Sequence, residues 1–176
     1  MAADDKLDAW AQQLAHAASM AGAVCTTAES CTGGMVAAAI TNIAGSSGWF
    51  DRGFVTYSNA AKTAMLGVPQ EAIENDGAVS EAVVEHMALG ALQHSDATLS
   101  VAISGIAGPD GGTASKPVGT VCFAWANRAT AQSVSSMTCQ FSGDRYTVRH
   151  LATAHAIAGL LAVLDDTISA FTGRTL

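Results

Sequence analysis

The chain has 176 residues, of which 49% are hydrophobic and 13% charged. That length suits one domain and can enclose a sizeable core. With 8 Lys+Arg against 15 Asp+Glu the net charge is −7 and no basic run occurs, which argues against a broad nucleic-acid footprint and requires any anionic ligand to be held by a few local groups.

Residues 1–6 are acidic and carry no apolar signal core, so no targeting segment is expected. Leu7, Trp10, Ala11, Leu14, Ala17 and Ala18 then follow helical spacing, with Asp4 or Asp5 as the cap and Gly22 as the stop. Residues 23–27 read as a short buried strand, followed by a turn at Ser30 and an alanine-rich helix to about Asn42. A Gly-Ser loop at 45–48 precedes a second strand over 50–57, rich in aromatic and β-branched residues. Ser58 or Asn59 caps a short helix that contains Lys62 and stops at Gly67, before Pro69. Residues 70–75 form another helical turn. Ser80 caps a clearer helix with Val84, Met87, Ala88, Ala91 and Leu92 on one face.

A third strand over 98–104 runs into a glycine-rich loop from Gly105 to Gly119. Two more strands, 120–126 and 133–141, are joined by a polar turn at Asn127 and Arg128. The last helix starts near Asp144, with Leu151, Ala154, Ala158, Leu161, Leu164 and Ile168 as its apolar stripe. Five strands and about five helices in alternation predict an α/β fold: a single three-layer α/β/α domain over 1–176, with its core at about 5–170. The short link between the last two strands makes them antiparallel, so the sheet is expected to be mixed and mostly parallel. No stretch is read as reaching the ~20 apolar residues of a membrane span, and a cytoplasmic protein without a membrane partner is expected. The four cysteines show no CxxC spacing, so no metal site is signalled, and Cys25, Cys122 and Cys139 read as small core hydrophobes.

The chemistry concentrates at strand ends. The run Thr27-Ala28-Glu29-Ser30-Cys31-Thr32-Gly33-Gly34 puts hydroxyls, a thiol, a carboxylate and two glycines where a strand hands over to a helix. Unpaired N–H groups at such a helix start stabilise anions and developing oxyanions. Ser30 is the leading nucleophile there and needs a base. All five histidines fall within helical stretches, where a structural or solvent-exposed role is expected of each. Lys62, among Ala60, Ala61, Ala64, Met65 and Leu66, could instead be held neutral by desolvation and accept the serine proton; a surface lysine is the alternative. Tyr57 could relay a proton or orient the lysine, or be a half-buried structural tyrosine. Cys31 is a weaker nucleophile candidate, because no histidine adjoins it.

Ser104-Gly105-Ile106-Ala107-Gly108-Pro109 again sets a hydroxyl and glycines after a strand. Ligands collect at the carboxyl ends of strands in open α/β sheets, so Ser30, Tyr57 and Ser104 would share one edge if their strands are parallel. Neither the Walker pattern nor GxGxxG is present, which disfavours a nucleoside triphosphatase or a Rossmann oxidoreductase. Arg145 could hold a carboxylate or phosphate in bidentate fashion, or simply pair with Asp144.

Six motifs in order carry a resemblance: residues 28–34, Val55-Thr56-Tyr57-Ser58-Asn59-x-x-Lys62, Gly77-Ala78-Val79-Ser80, 104–109, Lys116-Pro117-Val118-Gly119-Thr120 and Phe141-x-Gly143-Asp144-Arg145. Together they resemble the CinA C-terminal domain family, whose enzymatic members are nicotinamide-nucleotide amidohydrolases. The resemblance implies hydrolysis of nicotinamide mononucleotide (NMN) to nicotinate mononucleotide and ammonia in pyridine-nucleotide recycling, with no cofactor. It implies Ser30, Lys62 and Tyr57 as the catalytic set. Glu29, Thr32, Gly33, Gly34, Asn59, Ser104, Gly105, Gly108 and Arg145 are implied on the substrate and oxyanion side, with N–H groups near Thr32, Gly33 and Gly34 as oxyanion donors. Relatives often have threonine where this chain has Ser104, and the hydroxyl is kept. The family is commonly oligomeric, so at least a homodimer is expected. The rival readings are a ligand-binding or regulatory module without turnover, and a hydrolase of another small amide.

Overall fold

The computed structural model describes residues 3–130 and 133–171. Within them six helices and five strands follow one another: α1 (Ala3–Ala21), β1 (Cys25–Glu29), α2 (Met35–Thr41), β2 (Phe50–Val55), α3 (Asn59–Leu66), α4 (Gln70–Asp76), α5 (Glu81–Gln93), β3 (Leu99–Gly105), β4 (Thr120–Asn127), β5 (Ser133–Gln140) and α6 (Arg145–Leu164). The strands form one sheet in the order β2-β1-β3-β4-β5. β1 pairs in parallel with β2 and β3, whereas β4 is antiparallel to both β3 and β5. Only β4 opposes the other four strands, so the sheet is mixed and mostly parallel as expected. The turn between β4 and β5 was readable in sequence. The reversal between β3 and β4 was not, because the long glycine loop joining them carries no hairpin signature.

Side chains alternate across a strand, and here the two faces differ in bulk. Leu99, Val101, Ile103, Val121, Phe123 and Trp125 face α1, α2 and α6. Ala28, Ala102, Ala124 and Ala126 face the layer built from α3, α4 and α5. Small residues let α5 lie close to the sheet, and Ser100 Oγ donates to the Ala88 carbonyl at 2.8 Å. Close approach continues outward: a Cβ on Gly90 of α5 would fall 2.0 Å from the Leu66 carbonyl oxygen. That crossing seats α3, the helix of Lys62, against α5.

Local signals explain most boundaries. Ser58, Ser80 and Asp144 cap α3, α5 and α6 by accepting the N–H of Ala61, Val83 and Thr147. Gly67, at φ 66°, closes α3. Three expectations need correction. α1 already includes Ala3, so Asp4 and Asp5 lie inside the helix rather than capping it. In α6 the fully buried line is Val148, Ala152, Ala156 and Leu160, with Leu151, Ala158 and Leu161 only partly covered. α6 is enclosed by the sheet, α1 and α2, so it is apolar over much more than one stripe. For the same reason this 20-residue helix is long and apolar enough to cross a membrane by length and composition, although most of it is buried inside the fold.

Candidate active site

β1, β2 and β3 point the same way, and Glu29 lies opposite Val55 on one side and Ile103 on the other. The residues that follow these positions therefore emerge along one sheet edge. Ser30 continues the ladder by donating its N–H to the Ile103 carbonyl at 2.9 Å. The chain then turns through Gly33 (φ 61°) and Gly34 (φ 98°) into α2, a left-handed path that a residue with a Cβ adopts only at a cost.

Glu29, fully buried, points its carboxylate at the start of α2. Its Oε2 accepts the N–H of Gly34 at 2.9 Å and of Val36 at 3.1 Å, and its Oε1 accepts Ala37 N–H at 2.9 Å. The helix N-terminus thus already holds an anion, supplied by the chain itself. Glu29, expected on the substrate and oxyanion side, thus caps α2 with its carboxylate. Two of the expected oxyanion donors are also engaged, since Gly34 donates to Glu29 and Gly33 donates to the Ser30 carbonyl at 3.1 Å. The backbone N–H groups of Cys31 and Thr32 have no carbonyl or carboxylate acceptor among the described residues.

Lys62 reaches the same edge from α3. Its Nζ lies 3.1 Å from Ser30 Oγ and 3.0 Å from the Thr56 carbonyl. The side chain is only 1% exposed. Burial pulls its pKa below the usual lysine value, opposed only by a negative charge on Cys31. That opposition is absent near neutral pH, because burial pushes the Cys31 thiol up to about 12. The same upward shift argues against Cys31 as a nucleophile. The desolvation does not come from the alanines beside Lys62 in sequence. Ala60 and Ala64 are exposed, because residues two positions away on a helix face elsewhere.

The remaining residues form a cleft of about 210 Å³ whose walls include Ser30, Tyr57, Asn59, Lys62, Ser104, Gly105 and Arg145. Ser104 Oγ donates to the Ala78 carbonyl at 2.7 Å, tying the β3 edge to the segment before α5. Arg145, the first residue of α6, donates to the Gly108 carbonyl at 2.6 Å and to the Tyr57 hydroxyl at 2.8 Å. Tyr57 is therefore not placed as a relay between Ser30 and Lys62. It is 61% exposed and stands at the mouth with Arg145. Asp144 caps α6 through Thr147 rather than pairing with Arg145. Glu29, Thr32, Gly33, Gly34 and Gly108 are not among the cleft walls.

Among the described residues no histidine lines the cleft. His155 is buried among Phe123, Trp125, Phe141 and Phe171 and its pKa is lowered to about 4 by burial. His150 stacks on Tyr146, and His94 Nδ1 meets the Gly90 carbonyl. Among the described residues no three His, Cys, Asp or Glu side chains converge as metal ligands. One residue at this edge carried no signal in the sequence. Arg149 of α6 donates through Nε to the Cys31 carbonyl at 2.9 Å and through Nη2 to the Thr32 carbonyl at 2.8 Å.

A buried amine within hydrogen-bond distance of a serine at a strand end is compatible with hydrolase chemistry, and most of the chain matches one family. The model of the CinA C-terminal domain matches residues 7–164. The chain belongs to the CinA C-terminal domain family. It is 55% identical over 157 residues to the nicotinamide-nucleotide amidohydrolase PncC of Escherichia coli K12, covering 89% of this chain and 94% of that one. It is 54% identical over 136 residues to the protein of the same name from Pseudomonas putida, covering 77% and 83%. Among solved structures, a competence/damage inducible protein from Agrobacterium tumefaciens superposes with a TM-score of 0.85 at 41% identity, covering 91% of this chain and 96% of that one. The expected family and α/β class are borne out.

Proposed function

We propose that this CinA-family protein is an amidohydrolase that converts NMN and water to nicotinate mononucleotide and ammonia by covalent catalysis on Ser30. The observation that carries the mechanism is the 3.1 Å approach of a buried, desolvated Lys62 amine to Ser30 Oγ. The substrate follows from kinship with relatives named for that activity, 55% and 54% identical to this chain.

As a neutral amine, Lys62 donates one N–H to the Thr56 carbonyl and turns its lone pair to the Ser30 hydroxyl. Ser30 Oγ attacks the carboxamide carbon as its proton passes to Lys62. Collapse of the tetrahedral intermediate breaks the C–N bond, and Lys62 returns the proton to the departing ammonia. Water, deprotonated by Lys62, then hydrolyses the acyl-serine and releases the carboxylate. The cationic pyridinium nitrogen of the substrate makes its carboxamide carbon more electrophilic.

A cleft of about 210 Å³ suits the pyridine carboxamide, leaving the ribose phosphate toward the mouth. There Arg145 keeps guanidinium N–H groups beyond the two bonds it makes to Gly108 and Tyr57. In this reading Tyr57 orients Arg145, and Asn59 and Ser104 contact substrate. The reaction belongs to pyridine-nucleotide recycling in the cytoplasm. We further propose at least a homodimer, supported by exposed Val55, Tyr57 and Tyr146 close to the mouth.

Ammonia release from NMN tests the function. Ser30→Ala should abolish it while product binding and fold persist. An inactive Ser104→Ala with an active Ser30→Ala would show that the nucleophile is the other serine.

A further inference from the structure

We propose that Arg149 is a positioning residue for this amide hydrolysis, acting through the peptide between Cys31 and Thr32. The inference rests on Ser30 as nucleophile, the reading given above. Gly33 and Gly34 have lost their N–H groups to the Ser30 carbonyl and the Glu29 carboxylate. What remains next to the nucleophile is the N–H of Cys31, a residue of the cleft wall, and that of Thr32, the residue after it in the same turn.

In a trans peptide the carbonyl and the following N–H point in opposite directions from one rigid plane. Arg149 Nε holds the Cys31 carbonyl at 2.9 Å, so it also sets the direction of Thr32 N–H. A cation on the carbonyl end polarises the peptide and makes that N–H a stronger donor. Arg149 Nη2 holds the next carbonyl, that of Thr32, at 2.8 Å. The same Thr32 carbonyl accepts Met35 N–H at 3.3 Å, while Gly33 N–H closes the turn on Ser30. One guanidinium fork thus fixes two successive peptides of the nucleophile turn from α6, an element of 20 residues.

An oxyanion donor is worth about 10²–10³-fold in kcat. Loss of the clamp leaves Ser30 and the N–H groups of its turn present but free to shift, so the effect should fall in kcat rather than KM. Arg149→Met is therefore expected to lose on the order of 10²-fold in kcat for NMN, with KM and nicotinate mononucleotide affinity unchanged. The acidic limb of the pH profile should stay in place, because the Lys62 contacts are untouched. Arg149→Lys should be intermediate, since an ammonium cannot span both carbonyls in a planar fork. Added guanidinium chloride at low concentration should restore part of the activity of Arg149→Ala.

Acylation of Ser30 by p-nitrophenyl acetate, followed by mass, reads the same donor whatever the natural amide. If the wild type is inactive on NMN but acylates faster than Arg149→Met, the substrate reading fails and the role of Arg149 stands. Equal acylation rates in the two proteins, or a change confined to KM, overturn that role. Circular dichroism on Arg149→Met, Arg149→Ala and Arg149→Lys controls for unfolding of each variant.

Discussion

Replacing Lys62 with methionine separates what the amine does for chemistry from what its burial does to stability. Methionine keeps an unbranched stem of similar length in a site only 1% exposed, but it has no lone pair that accepts a proton and no donor for Thr56. A positioned general base contributes about 10²–10⁴-fold, or about 3–5 kcal/mol of barrier, so Lys62→Met should lose at least that in kcat/KM. Stability should move the other way. Burial lowers the folded pKa of Lys62 below 10.5, so between the folded pKa and 10.5 the unfolded chain binds more protons. Wild-type stability is then greatest above 10.5 and falls as pH drops toward the folded pKa, by about 1.4 kcal/mol for each unit between the two. Lys62→Met lacks this penalty. Its thermal midpoint should exceed the wild type's at neutral pH, with the gap narrowing toward pH 10. The acidic limb of the wild-type kcat/KM profile should report the same group losing its proton. Ammonia release across pH and parallel thermal melts measure both. Lys62→Arg should be nearly inactive as well, since a guanidinium accepts no proton at neutral pH. Wild-type turnover in either variant, or a stability gap that widens with pH, would refute the neutral-lysine mechanism.

Gly90→Ala should lower both thermal stability and kcat: its Cβ would fall 2.0 Å from the Leu66 carbonyl, displacing α3 one turn beyond Lys62, and kcat unchanged in a folded variant would show that α3 shifts without moving the base. His155, fully buried with its pKa lowered to about 4, favours the neutral ring, so the fold should be stable above pH 6.5 and lose about 3 kcal/mol as pH falls to 4. His155→Phe should flatten that acid limb of stability in denaturant melts, and an unchanged limb would assign it to other groups. Sedimentation at micromolar concentration should give at least a dimer, and a fully active species of about 18 kDa would overturn the proposed association.

The approach of Lys62 to Ser30 was readable because the constraints on both residues are local. Ser30 sits at a strand-to-helix turn marked by Gly33 and Gly34, and Lys62 follows the next strand end in a helix capped by Ser58. Parallel pairing of β1, β2 and β3 then brings these ends together. What could not be read depends on competition for hydrogen bonds. Glu29, Gly33 and Gly34 look in sequence like an oxyanion site, yet the Glu29 carboxylate takes three of the N–H groups at the start of α2. Nothing local reveals whether a carboxylate turns toward its own helix or toward a substrate; full burial of Glu29 decides it, because an unpaired charge there would be prohibitively costly. Tyr57 shows the same limit from the opposite direction. Its place at the end of β2 is a local fact, but its partner Arg145 lies 88 residues away, so the bond depends on how α6 docks. Arg149 reaches across 118 residues to the nucleophile turn by that same docking. A helix that carries both the clamp on the nucleophile turn and the cation at the cleft mouth couples them mechanically. With the roles proposed above, a shift of α6 would alter substrate binding through Arg145 and the Ser30 turn through Arg149 together. Mutations in its buried line, such as Ala152→Val, should therefore raise KM and lower kcat in concert although Ala152 is not itself a cleft wall.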